Sequence, residues 1–338
     1  MSKEMRNVFQ SSLIIGIVLI VSAMCLANPA NSDEMIRIDE PSQIIVTVTG
    51  GRVRSEPSLQ SEILKESTIG TRFTVLEEKN NWSRIQLTEA TEDKEAKSGW
   101  ISNTITTKYD ASKPGLIYQQ IVDKYFQRKK ISFSTAAEIY QFLPRAADEA
   151  KSFEVGGDLR LKQLIALASA LKAIPFGKSN SSPYKEFLSK HKADIIYSEP
   201  AGEWYVRSEN FWALHQRYKK YRIGETIAWT AAGNPTAGEC EGYINCHLYR
   251  LRITQGEYLN FYPNGKHSLE ALQDVYNLFQ PIVADLPVKR VYYTASDISD
   301  RAEFNSMLAD LRKIISKSPH LIKTKILKQI NQIAEGHR

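Results

Sequence analysis

With 338 residues, 42% of them hydrophobic and 24% charged, the chain has ordinary globular composition and room for two domains. That composition excludes a low-complexity or disordered protein and predicts a packed core. The formal charge of +6 suits contact with anionic surfaces but is spread too thinly over this length to indicate a nucleic-acid binder.

The N-terminus reads as a leader. Lys3 and Arg6 precede the apolar run of residues 13–21, and small residues follow around Ala23 to Ala30. That order of charge, apolar stretch and small-residue exit predicts a signal peptide over residues 1–27, cleaved after Ala27, and therefore an exported protein. Two other readings stay open. An uncleaved anchor would need about 20 apolar residues to span a membrane, more than this run supplies. Lipidation at Cys25 is disfavoured by Met24, which stands where such a signal wants a small residue. Residues 28–42 are polar and contain proline, which predicts a tether.

The next segments alternate. Ile44-Ile45-Val46-Thr47-Val48-Thr49 is β-branched, and Gly50-Gly51 turns it into Arg52-Val53-Arg54. Residues 71–78 place Phe73 and Val75 on one face, and Asn80-Asn81 turns them into Trp82-Ser83-Arg84-Ile85-Gln86-Leu87, so the pair reads as a hairpin. After a polar, mostly acidic insertion at 88–97 comes Gly99-Trp100-Ile101-Ser102. Short alternating segments separated by turn residues over 43–109 predict a small all-β barrel.

The wording of these segments, Gly51-Arg52-Val53-Arg54-Ser55-Glu56-Pro57-Ser58 above all, with Asn81-Trp82 and Gly99-Trp100, resembles the bacterial SH3 (SH3b) domain of exported cell-envelope proteins. The resemblance implies an SH3-like barrel that engages peptidoglycan or an envelope protein. It also brings forward Trp82, Trp100 and Arg54 as binding residues, because in such barrels the two tryptophans lie near the surface or plug an end. Two roles stay open for each indole. One is core packing, where it contributes a large apolar area; the other is an aromatic wall for a peptide or glycan.

Asp110-Ala111-Ser112-Lys113-Pro114-Gly115 ends the strand pattern and predicts a linker. Residues 116–338 then show helical spacing and predict an all-α helical domain, a helical hairpin array. Leu116, Ile117, Ile121, Tyr125 and Phe126 form a first stripe. Thr135-Ala136-Ala137-Glu138 has the form of a capping box for a helix that Pro144 should kink or end. Asp158 is expected to cap the apolar run 159–174, and Ser182-Pro183, Ser208 and Gly224-Glu225 to open further helices. The aromatic and basic run 197–229 is read as helical core with a basic outer face rather than as a nucleic-acid site. Tyr258-Leu259-Asn260-Phe261-Tyr262-Pro263-Asn264-Gly265, followed by a helix, loosely resembles tetratricopeptide-like hairpins, with no second copy in register. In the last two helical stripes, Arg312, Lys313, Lys317, Lys323, Lys325 and Lys328 occur with no acid between them. They suit a solvated basic face or contact with an anionic surface.

Removal of the leader leaves two cysteines, Cys240 and Cys246, which in an oxidising compartment predicts a disulfide. A metal site with His247 lacks a fourth ligand, and a nucleophilic Cys246 would have to face His247, which adjacent helical residues do not do. In one continuous helix six residues advance about 9 Å, past the ~7 Å limit for bridged Cα atoms. The bond therefore requires the helix to begin after Cys240. No HExxH, G-x-S-x-G, Ser-x-x-Lys or P-loop pattern occurs, so no catalytic, metal or cofactor site is assigned. These observations lead to a periplasmic or envelope-associated binding or scaffolding protein. Its expected partner is peptidoglycan or an envelope protein, with no nucleic acid. The alternative is a wall-degrading hydrolase in which the barrel targets substrate and the helical domain cleaves it, with Glu203 or Glu239 as acid.

Overall fold

The computed structural model describes residues 42–88, 97–286 and 298–337. The leader, the tether up to residue 41 and residues 89–96 of the acidic insertion lie outside them.

Seven strands, β1 (Gln43–Val46), β2 (Gly51–Arg54), β3 (Ile63–Ser67), β4 (Arg72–Lys79), β5 (Trp82–Gln86), β6 (Ser98–Ser102) and β7 (Thr106–Tyr109), form one antiparallel sheet. Their order is β3-β2-β6-β5-β4-β1-β7. Period-two alternation decides which side chains turn inward. Ile44, Val46, Val53, Phe73, Ile85 and Ile101, from five strands, meet in one buried cluster, so the sheet wraps around a common core. Asn80 and Asn81 both adopt positive φ, 48° and 66°, and make the two-residue turn between β4 and β5. The twist of such a turn matches that of the strands it joins.

The rest of the chain is mostly helical: α1 (Pro114–Phe126), α2 (Phe133–Glu149), α3 (Phe153–Lys172), α4 (Tyr184–Lys190), α5 (Ser208–Tyr218), α6 (Arg222–Ala232), α7 (Ile244–Ile253), α8 (Gln255–Phe261), α9 (Ser268–Asp285), α10 (Ile298–Ser316) and α11 (Ile322–Gly336). It is not all-α. After α4, β8 (Ile195–Ser198) and β9 (Glu203–Val206) pair as an antiparallel hairpin, in the run that reads from its spacing as helical. Local composition permits the hairpin and packing decides it. Ile195, Ile196, Tyr197, Trp204, Tyr205 and Val206 are β-branched or aromatic, and Gly202 supplies the positive φ of 66° in the connection. Ile195 lies opposite Val206, and both are buried with Leu171, Phe187 and Phe211.

Three helical expectations change in detail. The first turn of α2 is capped by Ser132, whose Oγ accepts from the Thr135 N–H at 3.2 Å, so the helix begins before the Thr135–Glu138 box. That frees Glu138 for another task. The same helix continues through Pro144, because its apolar stripe, Ile139, Leu143, Ala146 and Ala147, is buried on both sides of the proline. Burial outweighs the bond that the missing N–H forfeits. Asp158 lies inside α3 rather than at its start; its carboxylate pairs with Lys162 at 2.6 Å and accepts from the Gln119 amide at 2.6 Å.

Sheet and helices share buried surface. Ile45 and Ile69 belong to the same buried cluster as Tyr118, Ile121, Tyr125, Ile139 and Phe142 of α1 and α2. Polar contacts complete the junction. Glu138 Oε1 accepts from the Ile69 N–H at 2.7 Å, the Arg145 guanidinium donates to the Gly70 carbonyl at 2.7 Å, and the Tyr125 hydroxyl donates to the Thr47 carbonyl at 3.0 Å. Burial raises the pKa of Glu138 above the usual carboxylate range. At the centre of the junction Gly70, at φ +78°, lies so close to the Phe142 ring that an added Cβ would come within 2.1 Å of it.

At the other end of the helical region, Cys240 and Cys246 are joined in a disulfide with Cα atoms 5.4 Å apart. Helix α7 starts only at Ile244, after a turn in which Glu241 and Gly242 both take positive φ. That turn satisfies the geometric condition set by helix rise.

Candidate functional site

Strand register builds the candidate site. Ser83, Ile85, Gly99 and Ile101 are buried on the inner face, so alternation sends Trp82, Arg84, Ser98, Trp100 and Ser102 outward. Trp100 lies opposite Arg54 of β2 on one side and Arg84 of β5 on the other. Arg54 in turn faces Ile63 of β3, and Arg84 faces Glu77 of β4, with which it pairs at 3.4 Å. The result is one row across five strands, Ile63-Arg54-Trp100-Arg84-Glu77. Trp82, opposite Lys79 and Ser102, is the diagonal neighbour of Trp100 on the same face.

The register thus brings together the three residues singled out from the sequence, with different degrees of access. Trp82 and Trp100 are both half-buried, and neither joins the cluster inside the sheet. Arg54 is 9% exposed, because its guanidinium donates to the Ser61 carbonyl at 2.6 Å and holds the loop between β2 and β3. The accessible cation of the row is Arg84, its side chain 44% exposed. Sequence reasoning passed over it, although its signal was present: Arg84 shares the outward phase of Trp82 in the alternation of β5. Among the described residues, the contacts between sheet and helices named above do not involve Trp82, Arg84 or Trp100.

The other residues raised from the sequence lie elsewhere. Both sulfurs of Cys240 and Cys246 are in the bond, which leaves no thiolate there for a metal or for nucleophilic attack. Among the described residues no group of three or more His, Cys, Asp or Glu could hold a metal ion. Glu203 and Glu239 are exposed; Glu203 lines a cavity of about 480 Å3 beside Tyr197, Trp204 and Phe176. Of the basic C-terminal residues, Lys317 donates to the Asn260 side chain at 2.9 Å and Lys323 to the Ser318 carbonyl at 2.6 Å. Arg312, Lys313, Lys325 and Lys328 are exposed on α10 and α11. The Tyr258–Gly265 segment is organised by Glu225, whose Oε1 accepts from the Tyr258 hydroxyl at 2.8 Å. The same hydroxyl accepts from the His267 N–H at 3.0 Å. These bonds fix the turn from α8 into α9.

The outcome is a small antiparallel sheet wrapped on its own core, with Trp82, Arg84 and Trp100 on its outward face. Residues 49–105 match the family described as bacterial SH3 domain, and this part of the chain is a bacterial SH3 domain followed by a mostly helical region. Domains of this kind are typical of cell-envelope proteins that bind cell wall or protein. Comparison of the whole chain with curated proteins and with solved structures finds no match. No helix among the described residues is long and apolar enough to cross a membrane.

Proposed function

We propose that this is an exported cell-envelope binding or scaffolding protein whose SH3 domain, residues 43–109, engages peptidoglycan or a protein partner, while residues 116–338 form its helical body. The observation that supports the reading is the placement of Trp82 and Trp100 on the outward face of the sheet, next to the accessible Arg84. Half-buried indoles outside the core offer planar apolar surface to a ligand. An adjacent guanidinium presents paired donors to a carboxylate such as those of wall peptides. Removal of residues 1–27 is part of the same proposal, as is the partner class.

The test uses purified protein lacking residues 1–27. Peptidoglycan should sediment it and quench its indole fluorescence, and both effects should be lost in Trp100→Ala, provided circular dichroism shows the variant folded. A folded wild-type protein that neither sediments nor responds would rule out peptidoglycan and reduce the domain to a spacer or a protein-binding module. Release of muropeptides in the same incubation would instead favour the hydrolase reading.

A further inference from the structure

A cavity of about 1070 Å3 opens between the α1–α2 connection, one face of α3 and the start of α4, lined by no residue of the SH3 sheet. Its charge is one-sided. Arg128, Lys129, Lys130 and Lys172 line it, and among the described residues no carboxylate does. None of these four cations forms an ion pair among the described residues. Elsewhere on the same helices a lysine is fully matched, since Lys162 pairs with Asp123 and with Asp158 at 2.6 Å each. Exposed lysines without an ion-pair partner also occur elsewhere among the described residues, so what sets these four cations apart is that they line one cavity. Arg128 is held in place over the Tyr125 ring, 4.5 Å from its centroid.

The remaining walls are apolar. Phe126, Ile131, Phe133, Ile165, Ala173 and Tyr184 are each half-buried at the cavity rather than sealed in the core. Phe133 and Tyr184 meet edge to face at 4.8 Å. A simple inorganic anion would leave these walls wet, and an uncharged apolar molecule would leave four cations unmatched and partly desolvated. We infer that the cavity binds an amphiphilic anion, a molecule with an apolar chain or ring and a phosphate or carboxylate head set among Arg128, Lys129, Lys130 and Lys172. The partial positive charge at the start of α2, next to this loop, acts in the same direction.

Titration of the leaderless protein with dodecyl phosphate, below its micelle concentration and followed by calorimetry, tests the inference. One saturable site is expected, at least 10-fold weaker in 0.5 M NaCl and in the double variant Lys129→Glu, Lys130→Glu, whose positions are exposed and outside any helix. Lys172→Glu, on a different element, should weaken it independently. Equal affinity for inorganic phosphate or for dodecyl maltoside, or unchanged affinity in both sets of variants, overturns it. Sedimentation with vesicles of anionic but not zwitterionic phospholipid, abolished by the double variant, assigns the head group to a membrane. Binding of dodecyl phosphate without vesicle binding assigns it to a soluble amphiphile. Either result supports the site.

Discussion

Trp100 stands at the middle of a row in which each neighbour changes what a ligand meets: Arg54 locked to Ser61 on one side, Arg84 open to solvent on the other. Because neither tryptophan fills the core, Trp82→Ala and Trp100→Ala should cost far less than the 3–5 kcal/mol of a core Trp→Ala change. Each should nevertheless abolish indole quenching by ligand, a split that urea titration and ligand titration measure together. A second residue-scale prediction concerns pH. His215 is fully buried, its Nε2 hydrogen-bonded to the Tyr262 hydroxyl at 2.9 Å and its Nδ1 without a partner among the described residues. Burial lowers its pKa, and does the same for His191 and His247. The unfolded chain then takes up protons below about pH 6.5 that the folded state refuses, so stability is full above that pH and falls as the pH drops below it. The urea midpoint should be lower at pH 5.5 than at pH 7.5. His215→Gln, which removes one of the three titrating groups, should flatten that difference while lowering stability at both pH values.

At the scale of elements, two short-range constraints set how segments meet. Gly70 combines positive φ with the closest approach to α2, so Gly70→Ala should destabilise by about 2–4 kcal/mol through backbone strain and overpacking. A double-mutant cycle with Phe142→Ala should show coupling, since removal of the ring relieves the clash but not the strain. The second constraint is the Cys240–Cys246 bond, which closes a short loop between the turn before α7 and the first turn of that helix. Its loss in a Cys240→Ser, Cys246→Ser variant should cost about 2 kcal/mol, less than a bridge across a long loop. Intact mass after alkylation, with and without prior reduction, checks that the bond forms. Two thiols alkylated without reductant would show it open.

Over the whole molecule, the shared cluster of Ile45 and Ile69 with Tyr118, Tyr125 and Phe142 ties the sheet to α1 and α2. A buried junction with matched polar contacts makes separate unfolding expensive, because parting the two would expose the ring of Phe142 and strip Glu138 and Arg145 of their partners together. Thermal unfolding followed by helical circular dichroism should therefore coincide with unfolding followed by the Trp82 and Trp100 signal in a variant retaining only those tryptophans. Two separate transitions would mean that the sheet folds independently of the helices.

The segments that form β1, β2, β4, β5 and β6, the Asn80-Asn81 turn and the mostly helical character of the rest were legible in the amino-acid order, whereas β3 and β7 were not read from it. Side-chain alternation and turn chemistry are local properties, complete within a few neighbouring residues. The hairpin of β8 and β9 was not legible, because the aromatic and β-branched residues from Ile195 to Val206 fit helical spacing until Ile195 and Val206 find their place among Leu171, Phe187 and Phe211. Nor could order along the chain choose between core and surface for Trp82 and Trp100, or give Arg84 precedence over Arg54. Those outcomes depend on which strands become neighbours and on a loop folding back over one arginine. Registers and contacts between residues far apart in sequence are decided by packing, and only the tertiary structure contains them.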